Sequence, residues 1–200
     1  MEDNIRQAVS NLTNGKAICF PTETVYALSV DAYNKEAVEK IYKIKGRDKN
    51  KPLALLLADL SMMEECVEVN ALAKKIATAF MPGPITLILP KKTNNKLAGN
   101  INSGLKTIGV RIPDHAIALE IIRTFGHPVI GTSANISGMD AAISAEQIRN
   151  QLGNKVDFIF DNGESEIGVA STVVDLSEDD IKILRQGSVT LQEIKAVIND

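Results

Sequence analysis

Apolar residues follow two periodicities along this chain, and the two kinds of segment intermix from one end to the other. Apolar positions at helical spacing, together with capping signals, predict helices at 5–12, 37–44, 60–67, 71–80 and 114–125, and after Ser144 and Thr190. Short apolar or alternating runs predict strands at 17–20, 25–30, 53–58, 85–89, 107–112, 128–132, 156–160, 171–176 and 181–184. Because no repeat or linker interrupts this mixture, we predict one α/β domain spanning residues 1–200.

Several local signals sharpen this prediction. The run 53–58 is apolar throughout, so we expect a central strand that is buried on both faces. Gly46 and Gly126 follow helical segments and are predicted to cap them. Ser144 and Thr190 each open a sequence typical of a capping box. Residues 91–106 form the longest predicted loop, a position where binding loops and lids are common.

Composition narrows the class of protein. The chain has 200 residues, is 44% hydrophobic and has a formal net charge of −3, which argues against a disordered chain and against a basic nucleic-acid footprint along its whole length. Cys19 and Cys66 match no metal-ligand spacing, so we expect two buried free thiols in a reducing compartment. The N-terminus lacks a signal-peptide pattern and no apolar run reaches the roughly 18 residues that span a bilayer. We therefore expect a cytoplasmic protein with no membrane partner.

The run 40–51 concentrates cations at the end of a predicted helix. Its other lysines are typical of a solvated helix face that complements the helix dipole. Lys45, Arg47 and Lys51 differ because they bracket the turn into the buried strand, where ligands of α/β proteins commonly bind. The spacing alone leaves both interpretations open.

Arg111 stands on a predicted strand between two apolar residues, and a buried guanidinium requires a partner. That partner is either a structural carboxylate or the carboxylate of a substrate, which the planar guanidinium can bind in a bidentate manner. Thr107 lies on the same face, roughly 13 Å away by strand rise, so both can line one cleft.

The segment 131–135 (GTSAN) follows a predicted strand. It differs from a nucleophile elbow because Asn135 stands where that motif requires glycine. We interpret it as a turn whose hydroxyls and backbone donors bind phosphate, although an ordinary strand-to-helix turn is the alternative. No P-loop, G-x-G-x-x-G or His/Cys cluster occurs, so Mg²⁺ is expected only as a companion of a triphosphate. These motifs alone predict binding of a phosphorylated or carboxylated small molecule.

Eight short segments, taken in order, resemble the YrdC-like family of L-threonylcarbamoyladenylate synthases. They are FPTETVY at 20–26, KGR at 45–47, KPL at 51–53, MPGPIT at 81–86, TIGVRIP at 107–113, TSAN at 132–135, STVVD at 171–175 and LRQG at 184–187. The K-x-R plus S-x-N signature of the family is met by Lys45, Arg47, Ser133 and Asn135. These segments are distributed over a span of about 170 residues, so the resemblance extends along most of the chain.

The resemblance implies a fold and a reaction. The implied fold is a twisted mixed sheet surrounded by helices, with a deep central cavity. The implied reaction joins L-threonine, bicarbonate or CO₂, and ATP into threonylcarbamoyl-AMP and pyrophosphate. Other proteins would then transfer the threonylcarbamoyl group to tRNA adenosine 37. The chain resembles the short form of the family, which lacks a C-terminal extension.

The resemblance also implies residue roles. Nucleotide and phosphates would be bound by Lys45, Arg47, Lys51, Thr107, Ser133, Asn135 and Arg185. L-Threonine would be bound by Thr24, Arg111, Gly131 and Ser171. Three positions depart from the family pattern: Ala27 replaces a common glycine, Leu56 replaces a polar residue near threonine, and Ala141 lacks a hydroxyl. None of these changes removes a charge, so we expect activity to persist.

Two other functions stay open at this stage. One is a non-catalytic paralogue that binds RNA or the ribosome, which the basic run favours and the net charge of −3 opposes. The other is a relative that transfers a carbamoyl group from carbamoyl phosphate. Direct contact with tRNA or with a threonylcarbamoyltransferase complex is likewise an open expectation.

Overall fold

A computed structural model describes residues 1–178 and 180–199. The helices are α1 (Glu2–Thr13), α2 (Lys35–Lys45), α3 (Leu60–Cys66), α4 (Ala71–Phe80), α5 (Ala116–Phe125), α6 (Ala145–Leu152) and α7 (Leu191–Asn199). The strands are β1 (Ile18–Phe20), β2 (Ala27–Ser29), β3 (Ala54–Leu56), β4 (Ile85–Pro90), β5 (Thr107–Arg111), β6 (Val129–Ser133), β7 (Phe158–Ile159), β8 (Thr172–Asp175) and β9 (Lys182–Arg185). Each element falls within or beside a segment that the sequence predicts, and several strands are shorter than predicted.

The strands form one mixed sheet in the order β7-β1-β2-β6-β3-β5-β4-β8-β9. The pairs β1–β7, β3–β5 and β4–β8 are parallel, and the remaining pairs are antiparallel. Strand β3 lies at the centre of the sheet, as predicted. Leu55 and Leu56 point to opposite faces of it and both are buried, so the strand is covered on each side.

Helices cover the sheet through two apolar clusters. The larger cluster contains Leu55 and joins the sheet to α2, α3, α4, α6 and α7. The smaller cluster contains Leu56 and joins it to α1 and α5. The predicted fold class, a mixed sheet surrounded by helices, is therefore confirmed.

The predicted helix caps are present. Gly46 and Gly126 both adopt the left-handed conformation, with φ of 57° and 76°, which a residue with a side chain adopts only at a cost. The Ser144 side chain accepts a hydrogen bond from the Gln147 N–H at the start of α6. At Thr190 the capping box is complete, because Thr190 and Glu193 each accept from the other's backbone N–H.

Both cysteines are free and buried, as predicted. Burial raises the pKa of the Cys66 thiol to about 11 and also raises that of Cys19, so neither is a reactive thiolate at neutral pH. In residues 1–178 and 180–199 no helix is both long enough and apolar enough to cross a membrane.

Candidate functional site

A cavity of about 430 Å³ opens on the sheet where β3, β5 and β6 meet the polar loop at 22–26, and it extends towards β8 and β9. Eight of the predicted site residues line it: Thr24, Arg47, Thr107, Arg111, Gly131, Ser133, Ser171 and Arg185. These residues come from six separate stretches of the chain, and the fold brings them around one space. The family resemblance implied that this cavity is deep, and its depth stays a prediction.

Three predicted site residues do not line the cavity. Lys51 is exposed on the turn that precedes β3. Lys45 and Asn135 are buried behind the cavity wall, 1% and 6% exposed, and hydrogen bond to each other.

The C-terminal cap of α2 separates the two cations of the K-x-R motif. Left-handed Gly46 turns the chain between them, so that Lys45 stays on the helix while Arg47 lies beyond it. The Arg47 Nε donates to the Lys51 carbonyl at 3.2 Å, and its Nη2 donates to the Pro52 carbonyl at 2.9 Å. These bonds hold the guanidinium at the cavity wall.

Arg185 is held in a similar way from the opposite side. Its Nε donates to the Ser171 carbonyl at 3.0 Å and its Nη2 to the Ser171 hydroxyl at 3.2 Å. That hydroxyl also shares a 2.8 Å hydrogen bond with the Thr86 hydroxyl. Arg47, Arg111 and Arg185 all line the same cavity. Burial lowers the pKa of Arg185, and the nearby positive charges of Arg111 and Arg47 lower it further.

Arg47 and Arg185 share a second property. Neither forms an ion pair with a carboxylate among the residues that the structure describes. Both guanidinium groups bond to neutral oxygens and retain their full positive charge beside the cavity. Such groups are suited to bind the oxygens of a phosphate.

Arg111 has a protein carboxylate as its partner. Its Nη2 lies 2.7 Å from the Glu23 Oε2, and both side chains are buried. Its Nε donates to the Gly83 carbonyl at 3.1 Å. Within the described chain its Nη1 makes no protein hydrogen bond, and Arg111 lines the cavity, so one edge of the guanidinium is free for a ligand. The sequence left open whether Arg111 pairs with a structural carboxylate or with the carboxylate of a substrate. The structure shows the first and leaves room for the second.

The loop at 22–24 is ordered by its own hydroxyls. The Thr22 hydroxyl donates to the Val25 carbonyl at 2.6 Å and lies 2.9 Å from the Thr24 hydroxyl. The two threonines line the cavity, while Glu23 between them is buried towards Arg111. The sequence alone did not predict this contact of Glu23 with Arg111, although an acid between two threonines in a polar loop was a signal for it.

Gly131 is required by close packing against Leu56. A Cβ at position 131 would lie 2.4 Å from the Leu56 Cγ, well inside van der Waals contact. The leucine that departs from the family pattern thus occupies this part of the cavity wall with an apolar side chain. Of the other departures, Ala27 pairs with Ser133 in the sheet and lines the cavity, whereas Ala141 does not line it.

Thr86 and Asp175 also line the cavity, although the sequence did not predict them as site residues. Asp175 is the sole carboxylate among the described residues that line the cavity. Its Oδ1 accepts from the backbone N–H and the hydroxyl of Ser177, at 2.9 and 2.6 Å. No group of three His, Cys, Asp or Glu side chains that could hold a metal ion occurs in the described part of the chain.

Comparison with known proteins shows the family of this chain. The Sua5/YciO/YrdC family model, described as telomere recombination, matches residues 10–187. A Bacillus subtilis threonylcarbamoyl-AMP synthase is 40% identical over 98% of this chain and 57% of its own length. A putative threonylcarbamoyl-AMP synthase of Methanocaldococcus jannaschii is 37% identical over 92% of this chain and 85% of its own length.

Solved structures of proteins from this family have the same fold as this chain. Pyrococcus abyssi Sua5 complexed with L-threonine superposes with a TM-score of 0.95 at 40% identity, covering 99% of this chain and 58% of that one. Escherichia coli YciO superposes with a TM-score of 0.85 at 28% identity, covering 97% and 94%. This chain spans less than two thirds of the B. subtilis and P. abyssi proteins. On sequence and on fold, the chain belongs to the Sua5/YciO/YrdC family.

Proposed function

We propose that this chain is a threonylcarbamoyl-AMP synthase, which converts L-threonine, bicarbonate or CO₂, and ATP into threonylcarbamoyl-AMP and pyrophosphate. One observation supports this most directly. Arg47 and Arg185, which lack carboxylate partners in the described chain, lie around the same cavity as Arg111. Such a cavity suits a ligand with several negative charges, and ATP together with an amino-acid carboxylate is such a ligand.

The assignment divides the cavity into two parts. Arg47 and Arg185 bind the ATP phosphates, and Thr107 and Ser133 lie beside the nucleotide. Lys51 is exposed, and its carbonyl accepts a hydrogen bond from Arg47. Arg111 binds the threonine carboxylate through its free edge. Thr24, Gly131 and Ser171 surround the amino acid, and Leu56 contributes apolar surface next to them.

The chemistry requires positioning and charge neutralisation rather than a protein nucleophile. The threonine amine adds to CO₂ and loses a proton to give a carbamate. A carbamate oxygen then attacks the α-phosphorus, which forms a new P–O bond and breaks the bond to the β-phosphate oxygen, so that pyrophosphate leaves. Fixed guanidinium groups stabilise the negative charge that gathers on the phosphates. Mg²⁺ enters as part of the substrate, bound to the triphosphate.

The relatives support the same reaction. The Bacillus subtilis relative is named a threonylcarbamoyl-AMP synthase, the Methanocaldococcus jannaschii relative a putative one, and Pyrococcus abyssi Sua5 is solved in complex with L-threonine. The product would supply the threonylcarbamoyl group for tRNA adenosine 37, with the transfer made by other proteins.

Identification of the product tests the proposal. The purified chain is incubated with L-threonine, ¹³C-bicarbonate and Mg·ATP, quenched cold and analysed by mass spectrometry. We expect threonylcarbamoyl-AMP that carries the ¹³C label. A parallel incubation replaces the bicarbonate with unlabelled carbamoyl phosphate. An adenylate that forms only in this second mixture would contradict the proposal and favour a carbamoyl-transferring relative.

A further inference from the structure

Lys45 lies on the core-facing side of α2. It follows Ala37 and Ile41 at intervals of four residues, so the helix places all three on one face, and all three are buried. The side chain of Lys45 is therefore directed away from solvent by the same periodicity that builds the core. It lies behind the wall of the cavity and does not line it.

All three protons of the Lys45 ammonium group are used within the protein. The Nζ donates to the Ser133 carbonyl, to the Asn135 carbonyl at 2.8 Å, and to the Asn135 Oδ1 at 2.8 Å. A lysine ammonium has three donors and no acceptor. It could bind a phosphate only by giving up one of these bonds.

The ammonium also fixes the Asn135 amide. Because the Nζ can only donate, the amide must turn its oxygen towards Lys45, and its Nδ2 then donates to the Met139 carbonyl at 2.5 Å. The same Oδ1 accepts from the Ser133 hydroxyl at 2.6 Å. The Ser133 hydroxyl is thus oriented through Asn135.

A backbone bond strengthens this link between α2 and the turn at 133–137. The Ser137 N–H donates to the Lys45 carbonyl at 2.8 Å. Both side-chain and backbone hydrogen bonds therefore hold this turn. Ser133 is the residue of the turn that lines the cavity.

We infer that Lys45 is a positioning residue, which holds the turn at 133–135 and orients Ser133 at the cavity without itself contacting the phosphates. This role replaces the direct phosphate contact that the resemblance implied for Lys45. The direct contact then belongs to Arg47, on the other side of left-handed Gly46. The inference rests on the proposed function for the identity of the substrate, but its structural content does not depend on activity.

The first test uses the unmodified chain. In protein labelled with ¹⁵N-lysine, a buried and hydrogen-bonded Lys45 ammonium group gives an Nζ signal, whereas exposed lysines exchange too fast to be seen. We expect this signal in the free protein and expect it to stay in place when inorganic pyrophosphate and then Mg·ATP are added. A signal that is absent without ligand and appears on its addition would overturn the inference in favour of direct contact. Failure of the proposed function would not affect this readout.

The second test is a double-mutant cycle on pyrophosphate release with Lys45→Met, Ser133→Ala and the double variant. Loss of hydrogen bonds to a charged group predicts a fall in kcat of roughly ten- to hundredfold for Lys45→Met, with a smaller change in the KM for ATP. If Lys45 acts through Ser133, the double variant is about as active as Lys45→Met alone. Losses that multiply, together with a large rise in the KM for ATP, would contradict the inference.

Lys43→Met is the matched control, because Lys43 is an exposed lysine of the same helix and should leave the rate unchanged. If Lys45→Met does not fold, the labelled-lysine measurement on the unmodified chain still decides the question. If the unmodified chain releases no pyrophosphate, the proposed function fails while the Lys45 assignment is judged by its Nζ signal.

Discussion

Arg111 and Glu23 form a buried ion pair, with 2.7 Å between the Arg111 Nη2 and the Glu23 Oε2 and less than a tenth of either side chain exposed. The pair allows a guanidinium to stay charged inside the protein. It also leaves the Nη1 edge of Arg111 at the cavity, where a second carboxylate can bind. Glu23 thus compensates the buried charge of Arg111 when no second carboxylate is bound.

Glu23→Gln should lower the free energy of unfolding by about 3 kcal/mol, because it leaves Arg111 as an uncompensated buried charge. Urea unfolding followed by circular dichroism measures this change. Glu178→Gln is the control, since Glu178 pairs with Lys182 on the surface and its loss should leave the unfolding midpoint unchanged. Equal effects of the two substitutions would show that the Glu23–Arg111 pair has no special weight.

Arg111→Ala and Arg47→Ala should impair different substrates. Arg111→Ala should raise the KM for L-threonine by roughly ten- to hundredfold, because a charge-assisted hydrogen bond is lost, and change the KM for ATP much less. Arg47→Ala should show the reverse pattern. Steady-state pyrophosphate release with each substrate varied in turn measures both effects, and a threonine KM that is unchanged in Arg111→Ala would show that the amino-acid assignment is wrong.

Gly131→Ala should destabilise the protein by about 1–3 kcal/mol through overpacking, since the new Cβ would lie 2.4 Å from the Leu56 Cγ. Leu56→Ala removes the side chain that the new Cβ would meet. Gly131→Ala should therefore destabilise the Leu56→Ala variant less than it destabilises the unmodified chain. Thermal unfolding of the four proteins tests this coupling. Additive effects of the two substitutions would contradict the close contact.

Lys45 should give the stability a distinct pH dependence. Burial and, to a smaller extent, the positive charge of Arg47 lower its pKa from 10.5 to about 8. Between pH 8 and 10.5 the unfolded chain therefore holds a proton that the native chain does not, so the contribution of Lys45 to stability rises with pH across this window. Below pH 8 both states are protonated and the burial penalty is fully present.

The measurement compares the unmodified chain with Lys45→Met by urea unfolding at several pH values from 7 to 10. The free energy of unfolding of the unmodified chain should rise relative to that of Lys45→Met as the pH increases. The comparison cancels most of the opposite effect of Cys19, whose raised pKa makes the folded state less stable at high pH. A constant difference between the two proteins would contradict the lowered pKa of Lys45.

The sequence predicts the elements well because their signals are local. Apolar spacing, the glycines at 46 and 126 and the capping boxes act within a few residues, so they can be read without the fold. Arg47 and Arg185 could be selected because each lies in a motif. The pairing of Arg111 with Glu23 joins a strand to a distant loop, and only the tertiary structure brings these two residues together.

The sequence contains evidence that Lys45 points inward, but the charge of the side chain argues for the opposite direction. Its spacing from Ile41 places it on the apolar face of α2, yet a lysine at a helix end is typical of a solvated position. Asp175 and Thr86 gave no such signal, because an acid or a threonine at a strand position has no distinctive pattern. Their place at the cavity follows from the parallel pairing of β4 with β8.

Pyrophosphate release from Mg·ATP by the purified chain, with L-threonine and bicarbonate each omitted in turn, decides whether the chain is a threonylcarbamoyl-AMP synthase. We expect release that requires both, because the carbamate formed from them is the group that attacks the α-phosphate. Release that continues without L-threonine would contradict the claim and indicate a different acceptor. No release from a folded chain whose tRNA affinity falls steeply with salt would instead favour an RNA-binding function.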